Sequence, residues 1–219
     1  NVSEGDLKYV REIQITGKSL TKGEIIRRQM LLVPGERYDG TAVDQSKKRI
    51  ENTRFFDSVR ITLDETPDKT GDELFTDLNV DVEEGKTGTF NFGGGYSTED
   101  GVGVYGEMRL NNFDIANWPS FAGGGQQLRL RINTGQRRDE YSLSFTEPEF
   151  LGRPLSFGFD LYDENYDVRG GANYNEAATG GQLRLGKNLS PYVFAQASLR
   201  AQENDISGIP WYANPEIRR

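Results

Sequence analysis

The spacing of hydrophobic and polar positions changes once along the chain, near residue 86. In the first part, apolar residues alternate over 9–15, recur at helical spacing over 25–32 and 42–55, and alternate again over 59–63 and 74–82. Pro34-Gly35 ends the first helical stretch, and residues 67–72 are predicted as a turn between the last two strands. The pattern predicts an α+β module over residues 8–86, in the order strand, helix, helix, strand, strand.

Beyond residue 87 the helical spacing disappears, and segments of about ten residues alternate instead. In residues 128–132, for example, Leu128, Leu130 and Ile132 share one face, and two arginines take the other. Glycine-rich turns separate about seven such strands, counted from Thr89. Alternation of this kind is typical of a soluble β-sandwich and also of a membrane β-barrel with an apolar outside.

Two features of these strands favour the barrel. The polar faces carry arginines, which suit a water-filled lumen, and aromatic residues gather at strand ends, where interfacial girdles lie. Those aromatics are Tyr96, Trp118, Phe121, Tyr141, Tyr162 and Tyr192. Because seven strands alone would leave open edges in hydrocarbon, the barrel interpretation predicts further strands outside this sequence.

The amino-acid composition argues against several classes of function. The 219 residues include 34 acidic and 26 basic side chains, a net charge of −8, which argues against a nucleic-acid-binding surface. Cysteine and histidine are both absent, so there is no disulfide framework, and the usual catalytic triads and zinc sites lose their commonest residues. No signal peptide is present and the chain opens in mid-pattern, so we expect a mature, truncated sequence.

Three motifs resemble catalytic or ligand-binding sites. Residues 101–106 fit the G-x-G-x-x-G string, but strand alternation follows where a dinucleotide site needs a helix. Glu147 and Glu149 are expected at a solvated strand end rather than in a glycosidase pair. The acidic residues of 163–167 match no calcium loop. We therefore predict no catalytic site, no cofactor, no metal and no enzymatic activity.

Several segments resemble a known family in their order along the chain. Residues 10–17, the joint at 52–59 and the exit at 82–85 resemble a POTRA module, and Val2-Ser3-Glu4-Gly5 resembles the same exit 80 residues earlier. Residues 87–97 resemble the junction and first barrel strand of BamA-type outer-membrane assembly factors. The likeness continues at Asn112-Phe113, at 145–150, at Tyr174 and at 179–181.

The resemblance implies a domain organisation and a function. It implies the tail of a preceding POTRA module at 1–7, a POTRA module at 8–86 and the N-terminal part of an antiparallel transmembrane β-barrel at 87–219. The implied function is assembly and insertion of β-barrel proteins into the bacterial outer membrane, with the module in the periplasm. A related secretion pore of the same superfamily and a soluble β-rich binding module are the alternatives.

The same resemblance implies partners. They are unfolded outer-membrane proteins, periplasmic chaperones, outer-membrane lipoproteins of the assembly complex and the lipid bilayer, with no nucleic acid. The module is expected to dock a partner on its first helix, through Arg27, Arg28, Gln29 and Met30. Where the family has an acidic residue after two arginines this chain has Gln29, so the salt bridge expected at that position has no carboxylate.

The implied functional site is the first barrel strand. There a client strand can add to an exposed sheet edge through backbone hydrogen bonds. The residues concerned are Thr89, Phe90, Asn91, Phe92, Gly93, Gly94, Gly95 and Tyr96. The three glycines weaken the strand and allow backbones to approach closely, which suits reversible pairing.

Overall fold

Two compact units make up the chain. The computed structural model describes residues 8–64, 68–70, 73–169, 173–190 and 193–209. Clustering of contacts assigns the chain up to Thr87, together with 112–125, to the first unit, and Gly88–Asn111 with the chain from Gln126 onward to the second. The predicted module tail at 1–7, with its Val2–Gly5 motif, and the aromatic at position 192 lie outside the described residues.

The first unit contains a small mixed sheet and two helices. Its elements are β1 (Lys8–Thr16), α1 (Gly23–Arg27), α2 (Gly40–Asn52), β2 (Phe56–Leu63), β3 (Asp68–Thr70) and β4 (Glu73–Glu84). Strand β4 lies at the centre, parallel to β1 and antiparallel to β2. The short strand β3 pairs with β4 within the stretch predicted as a plain turn. The observed order thus adds one short strand to the predicted one.

Helix α1 is shorter than the sequence predicted. It ends at Arg27, and the N–H of Met30 donates to the Arg27 carbonyl three residues back, at 3.0 Å, which tightens the chain into a turn. The next N–H, of Leu31, donates to the Ser46 hydroxyl of α2 at 2.8 Å. Met30 and Leu32 still reach the core from this turn, so their spacing resembles that of a longer helix.

Helix α2 begins at Gly40, two residues before the first apolar position of the predicted helical stretch, because Asp39 caps it. The Asp39 carboxylate accepts the N–H of Thr41 at 2.8 Å and so satisfies a backbone donor that has no intrahelical partner. Ser46 and Ile50 form its buried face, and the helix ends at Asn52.

The core of the first unit lies between the sheet and the helices. Its members come from every regular element except the short β3, and five of them are fully inaccessible to solvent: Val10, Ile26, Ile50, Leu78 and Val80. Burying each such side chain contributes about 1.5–3 kcal/mol. The buried apolar residues of β4, Leu78, Val80 and Val82, follow the predicted even parity.

One ion pair bridges β1 and β4 at the edge of this core. The guanidinium of Arg11 donates from Nε to Asp77 Oδ1 at 3.0 Å and from its terminal nitrogen to Oδ2 at 2.8 Å. These hydrogen bonds lower the pKa of Asp77 against the opposing effect of burial. A buried carboxylate is tolerated here because it is paired in bidentate geometry.

The second unit is a seven-stranded antiparallel sheet. Its strands are β5 (Gly88–Ser97), β6 (Gly101–Phe113), β7 (Gln126–Gly135), β8 (Arg138–Glu147), β9 (Ser156–Val168), β10 (Tyr174–Ser190) and β11 (Val193–Ser207). A 3-10 helix, Phe150–Gly152, precedes β9. Each strand pairs with its neighbours in the chain, so the spatial order equals the sequence order. The predicted count of about seven strands is confirmed, and the glycine string of 101–106 lies inside β6.

The two faces of this sheet differ in chemistry. The strand register places Phe92, Val104, Leu143, Leu161 and Leu183 on one face, where many large apolar side chains are exposed. The other face carries Glu107, Arg129, Arg131, Asp160 and Arg184, joined by hydrogen bonds and ion pairs. An apolar face on one side and a charged face on the other fit the strands of an outer-membrane barrel.

None of the helices among the described residues is long and apolar enough to cross a membrane.

Candidate functional site

Strand β5 lies at one end of the seven-stranded sheet. Its register with β6 runs from Gly88 opposite Leu110 to Ser97 opposite Gly101. Among the described residues β5 has no second strand neighbour. Because an edge strand leaves a row of backbone N–H and C=O groups without ladder partners, it can accept another strand.

All eight residues predicted as the client-strand edge lie on β5. The aromatic ones share the apolar face and are among the most exposed in the chain, at 68% for Phe90, 78% for Phe92 and 74% for Tyr96. The rings of Phe90 and Phe92 lie 5.9 Å apart. Thr89 and Asn91 point to the charged face, opposite Arg109 and Glu107 of β6. The strand therefore has one apolar side and one polar side.

The three glycines of β5 have different surroundings. A Cβ atom on Gly93 would lie 2.7 Å from the ring of Tyr105, which covers that position from β6. On Gly94 it would lie 3.3 Å from the Gly103 carbonyl oxygen, and on Gly95 it would meet nothing within 4 Å. Gly93 is thus needed for packing against an aromatic ring, whereas Gly95 leaves the backbone open to approach.

The charged face beside β5 carries a network of ion pairs centred on Glu107. Glu107 accepts from Arg129 at 2.8 Å and from Arg131 at 3.4 Å, and it also pairs with Arg109 on its own strand. Three guanidinium groups therefore share one carboxylate across β6 and β7. Such a network fits a wet, polar interior better than a surface that faces lipid.

The predicted partner-docking residues are not equally accessible. Arg27 is exposed, Arg28 and Gln29 are half-buried, and Met30 is only 8% exposed and packs in the core. The prediction is corrected at Met30, because the chain turns inward after Arg27 instead of continuing as a helix. Partner docking through Arg27, Arg28 and Gln29 remains a prediction.

Sequence reasoning missed a cluster in the first unit around Glu84, the last residue of β4. Its carboxylate accepts the N–H of Leu20 at 2.9 Å and of Thr21 at 2.5 Å, and the hydroxyl of Ser19 also donates to it. Burial alone would raise the pKa of Glu84, but these hydrogen bonds to Ser19, Thr21 and Leu20 outweigh burial and lower it to about 2. The carboxylate thereby holds the loop that leads into α1.

Residues 112–125, called the β6–β7 segment from here on, hold the same loop from the other side. The Asn112 side chain donates to the Thr21 hydroxyl at 2.9 Å and accepts the Gly125 N–H at 2.9 Å. The Lys22 N–H donates to the Gly123 carbonyl at 3.0 Å, and its ammonium group pairs with Asp114 at 2.6 Å. Asn112 and Asp114 are both buried. Three consecutive glycines at 123–125 were the only local signal for this close packing.

Two family models match the chain in the order in which its parts occur. The POTRA model, described as a surface antigen variable number repeat, matches residues 8–85, and the Omp85 superfamily domain matches residues 120–216. The chain therefore contains a POTRA domain followed by an Omp85 superfamily domain. The first matched range contains strands β1 to β4, and the second contains strands β7 to β11.

Curated relatives place the chain with the BamA type of that superfamily. The outer membrane protein assembly factor BamA of Neisseria meningitidis is 28% identical over 214 residues, which cover 94% of this chain and 25% of the relative. BamA of Neorickettsia risticii is 31% identical over 183 residues, which cover 83% of this chain and 23% of the relative. The chain thus spans about a quarter of the length of these relatives, whose names describe assembly rather than catalysis.

Solved structures agree with this assignment. BamA from Haemophilus ducreyi lacking POTRA domains 1–3 aligns with 91% of this chain and 36% of that chain, with a TM-score of 0.71 and 26% identity. CdiB from Acinetobacter baumannii aligns with 93% of this chain and 39% of that chain, with a TM-score of 0.56 but only 14% identity, which shows a shared fold and no more. The BamA-type assignment predicted from sequence is confirmed. The chain is accordingly an outer-membrane protein whose POTRA module lies in the periplasm.

Proposed function

We propose that this chain takes part in assembling β-barrel proteins and inserting them into the outer membrane, with β5 as the edge at which a client strand pairs. The observation that carries the proposal is the position of β5. It follows the POTRA module directly in sequence, and within the described part of the chain it has a strand neighbour on one side only. The edge strand is therefore the first strand of the sheet after the module in the chain.

The proposed architecture assigns each unit a place. Strands β1, β2 and β4 with helices α1 and α2 form the POTRA arrangement, to which β3 is a small addition. Strands β5 to β11 cross the outer membrane as the N-terminal part of a barrel, with the apolar face towards lipid and the charged face inward. The domain limits follow as a module tail at 1–7, the module at 8–86 and barrel strands from residue 87.

The proposed partners follow from the same assignment. Unfolded outer-membrane proteins are the clients, periplasmic chaperones deliver them, and outer-membrane lipoproteins dock on the module. Arg27 is the docking residue with the strongest structural support, because its charged side chain is exposed at the end of α1. Arg28 and Gln29 contribute from half-buried positions.

Disulfide trapping tests the edge proposal in the full-length protein. Phe92→Cys places a thiol on β5, and Leu161→Cys places one on β9, where it is also exposed on the apolar face but its strand is paired on both sides. A stalled client with single cysteines along its terminal strand should form a mixed disulfide with the first variant and not with the second. Equal capture at both positions would contradict edge pairing.

A third position separates an assembly factor from a secretion pore. Ser142 lies on the charged face, opposite Arg131 in the β7–β8 register. A pore that passes its client through the lumen predicts capture by Ser142→Cys rather than by Phe92→Cys. We expect the reverse, because pairing at the edge does not bring the client into the lumen.

A further inference from the structure

The β6–β7 segment carries an exposed apolar surface on a rigid base. Ile115 and Trp118 are 63% and 77% exposed. The Trp118 ring packs edge-on against Phe121 at 5.1 Å, and Phe121 stacks on the buried Phe113 at 5.8 Å. The buried Phe113 and the Phe121 ring thus support Trp118 from below, and the Trp118 side chain stays exposed to solvent.

Hydrogen bonds keep this presentation fixed. The Asp114 N–H donates to the Phe121 carbonyl at 3.0 Å, and the Asn117 side chain donates to the Ala122 carbonyl at 2.8 Å. The buried Asn112 holds the base of the segment through its bonds to Thr21 and Gly125. These bonds, within the segment and to the loop at 21–22, fix its backbone, while the side chains of Ile115 and Trp118 stay exposed.

The charge pattern of the segment points to its partner. No charged residue occurs from 115 to 125, and the one acidic residue before it, Asp114, is 2% exposed and neutralised by Lys22. Exposed apolar groups without charge mark a contact surface. Tryptophan in particular prefers the boundary between lipid headgroups and acyl chains, where its ring is apolar and its N–H is solvated.

The connectivity points the same way. The segment joins β6, which ends at Phe113, to β7, which begins at Gln126. If these strands cross the bilayer, their connection lies at a membrane surface. Because the segment belongs to the same compact unit as the POTRA module, that surface is the periplasmic one.

We propose that the β6–β7 segment is a membrane-surface anchor, with Ile115 and Trp118 inserted into the periplasmic leaflet of the outer membrane at headgroup depth. The partner is the phospholipid interface itself. This proposal rests on the membrane-spanning strands of the proposed function, but it does not depend on client pairing at β5. In this proposal the POTRA-bearing unit contacts lipid directly through Ile115 and Trp118.

Spin-label accessibility in proteoliposomes tests the anchor in the full-length protein. A label is placed as the sole cysteine at Ala116→Cys, between the two anchoring residues, with Leu161→Cys as a reference on the apolar face of the sheet and Gln45→Cys as an exposed reference on α2. Collisions with oxygen report lipid, and collisions with a water-soluble nickel chelate report water. We expect the label at 116 to favour oxygen, at a shallower depth than the label at 161.

Each alternative outcome is informative. A label at 116 that is as water-accessible as the label at 45, with the label at 161 in lipid, would overturn the anchor and leave the proposed function standing. Water access at 161 would overturn the membrane-spanning strands themselves. If the label at 116 became shielded from both reagents only when a lipoprotein or client was added, the surface would be a protein-docking site and the proposal would be wrong.

A second measurement leaves the segment unmodified. In a full-length variant whose other tryptophans are replaced by phenylalanine, Trp118 should lose most of its fluorescence in vesicles of phosphatidylcholine brominated near the headgroup end of the acyl chains. Bromination near the chain ends should quench it much less. Equal, weak quenching by both lipids would contradict insertion at headgroup depth.

Discussion

Glu84 shows how a single side chain organises the first unit. Its carboxylate receives the hydroxyl of Ser19 and the N–H groups of Leu20 and Thr21. These donors favour the ionised form, and they set the pKa of the group at about 2 against its ordinary 4.5, despite the effect of burial. A folded-state pKa below the unfolded one stabilises the fold above the unfolded pKa.

The prediction for Glu84→Gln is a pH-dependent loss of stability. The substitution should lower the free energy of unfolding of the POTRA-bearing unit by on the order of 1–3 kcal/mol at neutral pH, because charge-assisted hydrogen bonds are lost. The difference from the unsubstituted protein should shrink as pH falls from about 4.5 to about 2. Urea unfolding at a series of pH values measures it.

The neighbouring residue supplies the control. Glu83 is exposed and accepts the hydroxyl of Ser58 at 3.3 Å. Glu83→Gln should therefore change stability by a few tenths of a kcal/mol at any pH, as surface substitutions usually do. Equal losses for the two variants would mean that Glu84 does not hold the 19–21 loop.

Two glycines of β5 should respond oppositely to alanine. Gly93→Ala places a methyl group 2.7 Å from the Tyr105 ring and must displace it, whereas Gly95→Ala meets nothing within 4 Å. The first change should destabilise the strand, and the second should be neutral or stabilise it by about 0.5–1 kcal/mol, since alanine costs less conformational entropy. Thermal unfolding in detergent compares them.

A double-mutant cycle assigns the cause. If the Tyr105 ring is what excludes a side chain at 93, Tyr105→Ser should remove most of the penalty of Gly93→Ala. A penalty that persists in the double variant would place the clash in the backbone of the strand.

At the scale of elements, Gly123 fixes the β6–β7 segment to the loop before α1. Its φ is +101°, and a Cβ atom there would lie 1.9 Å from the Leu20 carbonyl oxygen, which is backbone and cannot swing away. Gly123→Ala should detach the segment and break the hydrogen bond from the Lys22 N–H. Amide hydrogen exchange of residues 19–22 in the full-length protein should rise at least tenfold.

Gly35 is the matched control for that change. It has a similar φ of +93° in the same unit, but a Cβ atom there meets nothing within 4 Å. Gly35→Ala should cost only the backbone strain of about 1–2 kcal/mol and leave exchange at 19–22 unchanged. Equal exchange in both variants would show that the strain, rather than the close approach, controls the loop.

The regular elements were predictable wherever their pattern depends on local spacing. In β4, alternate positions Leu78, Val80 and Val82 are buried as their parity indicated. The predicted length of helix α1 was too great, because Met30 and Leu32 have helical spacing but reach the core from the turn after Arg27. The spacing of apolar residues predicts which side chains are buried, but it does not by itself determine the backbone conformation at those positions.

The Glu84 cluster and the packing of the β6–β7 segment could not be predicted from local pattern. The hydrogen bond between Asn112 and Thr21 joins residues 91 positions apart in the chain. The local sequence around either residue gives no signal for the contact. By contrast, β5 was predicted as a site through its family resemblance and its glycines. Its edge position follows from the hairpin order of the sheet, which is a consequence of connectivity.

At the scale of the whole molecule, the sheet combines an apolar face, a charged face with ion-paired side chains and an edge strand that carries exposed aromatics. The POTRA module precedes that edge in sequence without an intervening element. These features together fit the proposed pairing of a client strand with β5 through backbone hydrogen bonds. The proposed function requires β5 to be free to pair with a client strand.

A reversible disulfide lock tests that claim most directly. In the full-length protein, Phe92→Cys is combined with a cysteine in the final barrel strand, and client insertion is measured in the oxidised and the reduced state. A matched pair, Leu143→Cys with Leu161→Cys, ties two interior strands that already face each other in the β8–β9 register. We predict that oxidation abolishes insertion only in the first variant, while the barrel stays folded, and that reduction restores it. Normal insertion by the oxidised Phe92 variant would contradict the account and would leave glycines 93–95 with a packing role alone.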